Sequence, residues 1–174
     1  MKRVVRVTLS RSTLFLPFFS WAVQLVLRKR YSHTSVHFID PFTGQWMVSE
    51  TSRGEAHEII IEKWKNEHMI IKQWEIIVPD EQFREFKIIS NSFNQTHYAP
   101  IWGIIGVLIN ILSMGKLTWF DDDRATLFCS ESDAYKLACF GVHFLKDEDF
   151  ITPKDIDKKM TMLERIDENV KRIK

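Results

Sequence analysis

Three side chains in this sequence have the chemistry of a thiol nucleophile and its proton relay: Cys129, His33 and Glu50. Cys129 lies in RATLFCSESDAY (Arg124 to Tyr135), where a short apolar run turns into a polar stretch of helical character. The first turn of a helix leaves backbone N–H groups without intrahelical partners. Such groups favour a thiolate at that position and can also hold the oxyanion of a tetrahedral intermediate. An imidazole is the second device that activates a thiol, and it can be distant in sequence.

Six histidines are scattered singly: His33, His37, His57, His68, His97 and His143. None has metal-ligand spacing of the H-E-x-x-H kind, so neither a metal nor another cofactor is expected. His33 is the candidate base, because of where a hairpin would put it. YSHTSVHFID (Tyr31 to Asp40) is rich in β-branched and aromatic residues, PFTG is a turn, and QWMVSE (Gln45 to Glu50) reads as the returning strand. If Ile39 pairs with Trp46, Ser35 faces Glu50, and Glu50 is diagonal to His33 on one face. Diagonal neighbours lie about 7 Å apart at Cβ, within reach of a carboxylate and an imidazole. A slip of one residue would send Glu50 to the opposite face. In this register the carboxylate would set the imidazole tautomer, as the third member of a triad does. Read from residues alone, a packing thiol, a structural histidine and a solvated strand-end glutamate remain open alternatives.

The second cysteine, Cys139, reads as a reduced packing thiol. Ten helical positions would separate it from Cys129 by about 15 Å of rise, too far for a disulfide. No second cysteine pair exists to complete a zinc site. The chain carries 24 basic and 23 acidic residues, so it lacks the basic excess of a nucleic-acid binder.

Other elements must carry these groups. Lys2 to Ser10 alternates like a strand, Thr13 to Lys29 reads as a helix affected by Pro17, and Glu58 to Ile61 and Gln73 to Val78 read as strands. Lys63 to Met69 has no clear assignment. Pro79 to Asn91 reads as a helix with Asp80 as its N-cap, and Tyr98 to Leu112 as another, followed by the loop SMGKLTWFDDD. Cys129 to Phe140 is a helix closed by Gly141. Thr152 and Pro153 begin an amphipathic C-terminal helix through 153–174, with Ile156, Met160, Leu163, Ile166, Val170 and Ile173 on its apolar side. The 174 residues are read as a single α+β domain with a mostly antiparallel sheet and helices packed on it.

Two apolar runs, Leu14 to Leu27 and Ile101 to Leu112, are shorter than the ~20 residues a spanning helix needs. No A-x-A-like cleavage site follows the first, so no cleaved signal is expected, and with unpaired thiols a cytoplasmic location is the expectation. Core helices are the favoured reading of both runs. A peripheral membrane contact, aided by Arg28, Lys29 and Arg30, is one alternative, and export is the other.

The order of these pieces resembles the circularly permuted papain-like enzymes of the NlpC superfamily, the YiiX/YebB-like group related to lecithin–retinol acyltransferase. YSHTSVHF resembles the family's SHVGI strand, WMVSETSRG its VIEA-like strand, FCSESDAYKL its FCSELV-type nucleophile motif, and FITPKDI its SP-x-D-L element. YAPIWGIIGVL resembles the apolar segment between them, and together the matches cover most of residues 1–157. Thr34 and Ser35 depart from the family's Val-Gly, and Ser132 replaces an apolar residue. The resemblance implies a permuted papain-like fold with Cys129 as nucleophile, His33 as base and Glu50 as third member; that third residue varies across the superfamily, and His37 and Glu55 are the substitutes for it. It implies a hydrolase cleaving an amide, such as a peptide bond of the cell wall, through a thioester. Its lipid-acting relatives imply an acyltransferase or lipid hydrolase as the alternative, with an acyl-lipid substrate. A non-enzymatic papain-like binding protein is the third reading.

Overall fold

The computed structural model of the protein describes residues 1–13, 24–25, 28–52, 55–93, 97–98, 126–127, 129–145 and 151–174. For Ser52, Glu55, His97, Tyr98, Thr126 and Leu127 it describes the backbone alone. The helices expected over Thr13 to Lys29 and Tyr98 to Leu112, and the loop after the second, lie wholly or mostly outside these residues.

Among the described residues eight strands form one sheet: β1 (Lys2–Ser12), β2 (His33–Ile39), β3 (Trp46–Ser52), β4 (Glu55–Ile60), β5 (His68–Pro79), β6 (His97–Tyr98), β7 (Thr126–Leu127) and β8 (Val170–Arg172). Their order across the sheet is β7-β6-β4-β3-β2-β1-β5-β8. All neighbours are antiparallel except β6 and β7. The helices are α1 (Ile61–Lys65), α2 (Asp80–Phe93), α3 (Cys129–Ala138) and α4 (Pro153–Ile166). This is an α+β fold, as the alternation of apolar residues and the helical periodicities predict.

Alternation assigns the two faces of the sheet. Val5, Val7 and Leu9 of β1, Val36 and Phe38 of β2, and Trp74, Ile76 and Val78 of β5 are buried in the main core. Phe83 and Phe86 of α2, Ala134 and Leu137 of α3, and Ile156 and Met160 of α4 share that core. Phe38 meets Phe83 and Phe86 with ring centroids 5.9 and 5.4 Å apart, within the range of favourable edge and tilted contacts. A smaller cluster joins Val48 of β3 to Ile61 and Trp64 of α1, with Trp46, Ile59 and Ile70 against it.

The β2–β3 hairpin has the predicted register. Ile39 pairs with Trp46, and the ladder continues through Val36 and Ser49. Its turn is built by Asp40, whose carboxylate accepts from the Phe42 N–H and the Thr43 hydroxyl. Gly44 sits at φ 69°, a left-handed conformation that favours glycine. Beyond the hairpin, β5 starts at His68, five residues before the predicted strand, and the unassigned stretch divides between the end of α1, a turn and the start of β5.

The C-terminal segment departs from expectation. The Thr152–Asp155 capping box starts α4 as predicted. The helix ends at Ile166 instead of running to 174. Asp167 is extended and its Oδ1 accepts from the Asn169 N–H at 2.9 Å, a side-chain turn that competes with the helix. Val170 then enters the main core, and β8 pairs with β5. No helix among the described residues is long and apolar enough to cross a membrane.

Asp157 of α4 ties the elements together. Its nearly buried carboxylate accepts from the Tyr31 hydroxyl at 2.7 Å and from Lys72 Nζ of β5 at 2.6 Å, with Lys29 Nζ at 3.5 Å. Burial alone would push its pKa up, but the hydrogen bonds from Lys72 and Tyr31 and the two lysine charges hold it below the ordinary value. A depressed carboxylate pKa contributes stability that is present above the unfolded value and lost as pH falls through the folded one. The lysines are partly exposed, so the contribution is discounted: Asp157→Asn should cost about 1–3 kcal/mol at neutral pH. The gap between wild type and variant in thermal melts should narrow as pH drops below ~3.9, the ordinary aspartate value. An unchanged gap would refute this role for the carboxylate.

Candidate functional site

The hairpin register brings His33 and Glu50 together, and the outcome is closer than Cβ geometry requires. His33 Nε2 lies 2.7 Å from Glu50 Oε2, and both side chains are nearly buried. Glu50 accepts only, so Nε2 carries the proton and donates it. The same Oε2 accepts from the Trp64 indole N–H at 2.6 Å. Trp64 reaches it because α1 lays Ile61 and Trp64, three residues apart, against Val48 two residues before Glu50.

Two more imidazoles face this carboxylate. His57 pairs with Glu50 across the β3–β4 ladder, and its Nε2 is 3.5 Å from Oε1. His68 opens β5, with Nε2 3.9 Å from Oε2. The His68 ring stacks on the Trp64 ring, 4.6 Å between centroids and 4° from parallel. Its other neighbour is His33, at 5.1 Å and 30°. His68 Nδ1 lies 3.3 Å from the Trp64 carbonyl oxygen.

Cys129 is the first residue of α3 and is buried, close enough to His33 for its sulfur to raise the pKa of that ring. Since Nε2 is committed to Glu50, Nδ1 is the nitrogen left for the sulfur. The start of α3 is anchored where the Ser130 hydroxyl donates to the Ile151 carbonyl at 2.6 Å. One turn on, Asp133 and Lys136 form a fully buried ion pair at 3.3 Å. Its members belong to the helix that positions the thiol.

The electrostatics follow from competition between burial and partners. For His33, burial favours the neutral ring, but the neighbouring Cys129 and Glu50 outweigh it and raise the pKa well above the ordinary value. For Glu50, burial would favour the neutral acid, but hydrogen bonds to His33 and His57 and the nearby positive charge hold it well below the ordinary range. Burial and the charge of His33 push His68 down to about 4, so it is neutral. Burial pushes His37 down to about 3.

Among the sequence candidates, His33, Glu50 and Cys129 therefore meet. Glu50 is a buried residue here, with 2% of its surface exposed, which excludes the solvated strand-end alternative. His37 is engaged elsewhere, with Ser35 Oγ at 3.0 Å and the Gln73 amide donating to Nδ1 at 3.4 Å. Glu55 lies in the β4 ladder opposite Ser52, and its side chain is outside the described residues. Cys139 donates to the Tyr135 carbonyl at 3.6 Å, and burial pushes its pKa up, in keeping with a packing thiol. His143 is exposed.

Sequence reasoning missed Trp64, His57 and His68. The W-x-x-x-H spacing of Trp64 and His68 was a usable signal for stacked rings, but the intervening turn hid it. A β4 strand begun at Glu55 would have placed His57 opposite Glu50. The atoms His33 Nε2, His68 Nε2 and a Glu50 oxygen all lie within 4.8 Å of one another, a donor set of two nitrogens and one oxygen. The expected absence of ligand spacing is thus a statement about the linear sequence, since these donors come from β2, β3 and β5.

No family model and no curated protein matches the chain. Four solved chains match it. Among them, the metalloprotein yiiX of Escherichia coli O157:H7 is 15% identical with a TM-score of 0.46, over 100% of this chain and 96% of that one. So distant a likeness transfers neither a family nor a chemistry to this protein.

The indole hydrogen bond is open to direct test. Trp64→Phe retains a ring against Val48 and removes one donor from a buried carboxylate. It should destabilise the fold by about 1.5–3 kcal/mol in denaturant unfolding, the range for hydrogen bonds to charged groups. A change below ~0.5 kcal/mol would mean that Glu50 does not depend on the indole.

Proposed function

We propose that this protein is a cysteine-nucleophile hydrolase that cleaves an amide bond through a thioester acyl-enzyme. One observation carries the reading: His33 is hydrogen-bonded to a buried carboxylate and lies beside a thiol at the start of a helix. That is the connectivity a nucleophile, a base and an orienting group need. The sequence resemblance to permuted papain-like enzymes supports the same assignment.

The chemistry follows from the two nitrogens of one ring. Glu50 holds Nε2–H and so fixes the tautomer in which Nδ1 receives the Cys129 proton. The sulfur then attacks the substrate carbonyl carbon, and the carbonyl oxygen gains the negative charge. The first backbone N–H groups of α3, which helix geometry leaves without intrahelical partners, would receive that oxyanion. His33 Nδ1–H gives its proton to the leaving amine as the C–N bond breaks, leaving a thioester on Sγ. A water then loses a proton to Nδ1 and attacks the thioester carbon, the C–S bond breaks, and a carboxylic acid leaves. Transfer of the acyl group to or from a lipid would use the same residues with a different acceptor. The apolar runs that would hold an acyl chain lie almost entirely outside the described residues.

The test is selective labelling followed by trapping. An alkylating reagent should modify Cys129 at least ~10-fold faster than Cys139 in the same molecule, and His33→Ala should remove that advantage. On a peptide library, His33→Ala should lower turnover by about 10²–10⁴-fold, the range for loss of a general base. Quenched reactions should show an acyl adduct on Cys129, whose mass identifies a peptidyl or a fatty-acyl group. Equal labelling of the two cysteines, with no effect of His33→Ala, would overturn the proposal.

A further inference from the structure

The proposed hydrolase uses one imidazole, yet the Glu50 carboxylate faces three. His68 is the one whose presence the relay does not explain. Its Nδ1 approaches a backbone carbonyl, which can only accept, so the proton that the ring carries sits on Nδ1. The ring is held between the Trp64 and His33 rings. Nε2 therefore presents a bare lone pair toward a carboxylate oxygen 3.9 Å away. Two electron-rich atoms facing each other in a nearly closed site repel. A cation between them would turn that repulsion into ligation.

We infer that His33, Glu50 and His68 form a binding site for a divalent cation of the zinc class. Two imidazole nitrogens and one carboxylate oxygen suit zinc or cobalt better than calcium or magnesium, which prefer oxygen. The set leaves a fourth position open, as in zinc sites with two histidines and a glutamate. Zinc bonds of about 2.0–2.2 Å place tetrahedral donors roughly 3.3–3.5 Å apart. The present separations, 2.7 Å for His33 and 3.9 Å for His68 to Glu50 Oε2, straddle that range. The three donors lie within 4.8 Å of one another, and side-chain adjustments of about 1–1.5 Å would bring all of them into it.

The surrounding groups are those a metal site uses to aim its ligands. The bond from His68 Nδ1–H to the Trp64 carbonyl fixes the tautomer and points Nε2 inward. The Trp64 indole steadies the carboxylate. His57 stands against the other oxygen of Glu50 and is not one of the three donors. Binding replaces the Nε2 proton of His33, so one proton leaves for each cation bound. The inference does not depend on Cys129 being a nucleophile. If Cys129 is one, the cation occupies the imidazole that serves it, and the loaded form loses the relay.

Cobalt(II) and zinc titrations of the full chain, reduced and metal-free, test the site. One equivalent of cobalt should bind with the visible absorption of a four-coordinate centre, and calorimetry with zinc in two buffers should report a released proton. His68→Phe keeps the stacking and removes Nε2; it should weaken binding by about 10²-fold or more. His68→Gln serves the same purpose if the phenyl ring disturbs the fold, with circular dichroism as the check on both. Cys129→Ser should weaken binding by less than about tenfold, since the sulfur is not a donor, whereas His57→Gln, which removes a partner of the ligating carboxylate, should cost about 10–100-fold. No binding at millimolar metal would overturn the inference, as would binding that survives both His68 variants. A collapse of affinity in Cys129→Ser would also overturn it, because the sulfur would then be the ligand. Each readout is a binding signal, so failure here is distinguishable from failure of the hydrolase reading.

Discussion

A single carboxylate, Glu50, sets the constraints on one end of this molecule. Removing its charge from water costs several kcal/mol unless the charge is paired and its lone pairs are filled. The fold meets that demand with two short hydrogen bonds to one oxygen, from His33 at 2.7 Å and Trp64 at 2.6 Å, and with His57 against the other. Four elements converge for this purpose: β2 and β3 through the hairpin, β4 through its ladder, and α1 through its tryptophan. Truncating the carboxylate would leave buried donors without an acceptor, and truncating the donors would leave a buried charge. The cluster is therefore cooperative, and its geometry is rigid for reasons independent of any reaction.

That rigidity is what a relay needs. A ring whose Nε2 is committed to a carboxylate has one free nitrogen, aimed in one direction. Cys129 meets it from a helix that is itself fixed, by Ala134 and Leu137 in the main core and by the Ser130 bond to Ile151. Both reacting groups thus belong to regular elements on a packed scaffold, where small displacements are resisted. The same cluster carries more nitrogen donors than a proton relay uses. His68 is held in a tautomer that presents a lone pair to Glu50, so the proposed cation site would compete with the proposed relay.

How much of this was legible in the sequence depends on the range of the contact. The hairpin was legible because Pro41 to Gly44 is a strong local turn signal and the alternation on both sides agrees with one register. The start of α3 at Cys129, and of α4 at Thr152 and Pro153, were legible because caps act within one turn. The end of α4 was not, since Val170 and Ile173 continue the helical periodicity while Asp167 and Asn169 break the backbone. Val170 is apolar for the sake of β5, a partner ninety-odd positions earlier that periodicity cannot see. The convergence of Trp64, His57 and His68 on Glu50 was hidden for a similar reason. Each belongs to a different element, and an isolated histidine reads the same whether it faces water or a carboxylate. Burial, which the sequence does not display, also separated Glu50 from an ordinary strand-end glutamate.

The most direct measurement is a double-mutant cycle on folding stability between Glu50→Gln and His33→Gln, read by denaturant unfolding at neutral pH. If the carboxylate and the imidazole depend on each other as described, the double variant should be less destabilised than the sum of the singles. The coupling energy should fall at about 1–3 kcal/mol, in the range seen for residues of one hydrogen-bonded network. Additivity within about 0.3–0.5 kcal/mol, as for independent sites, would contradict the account.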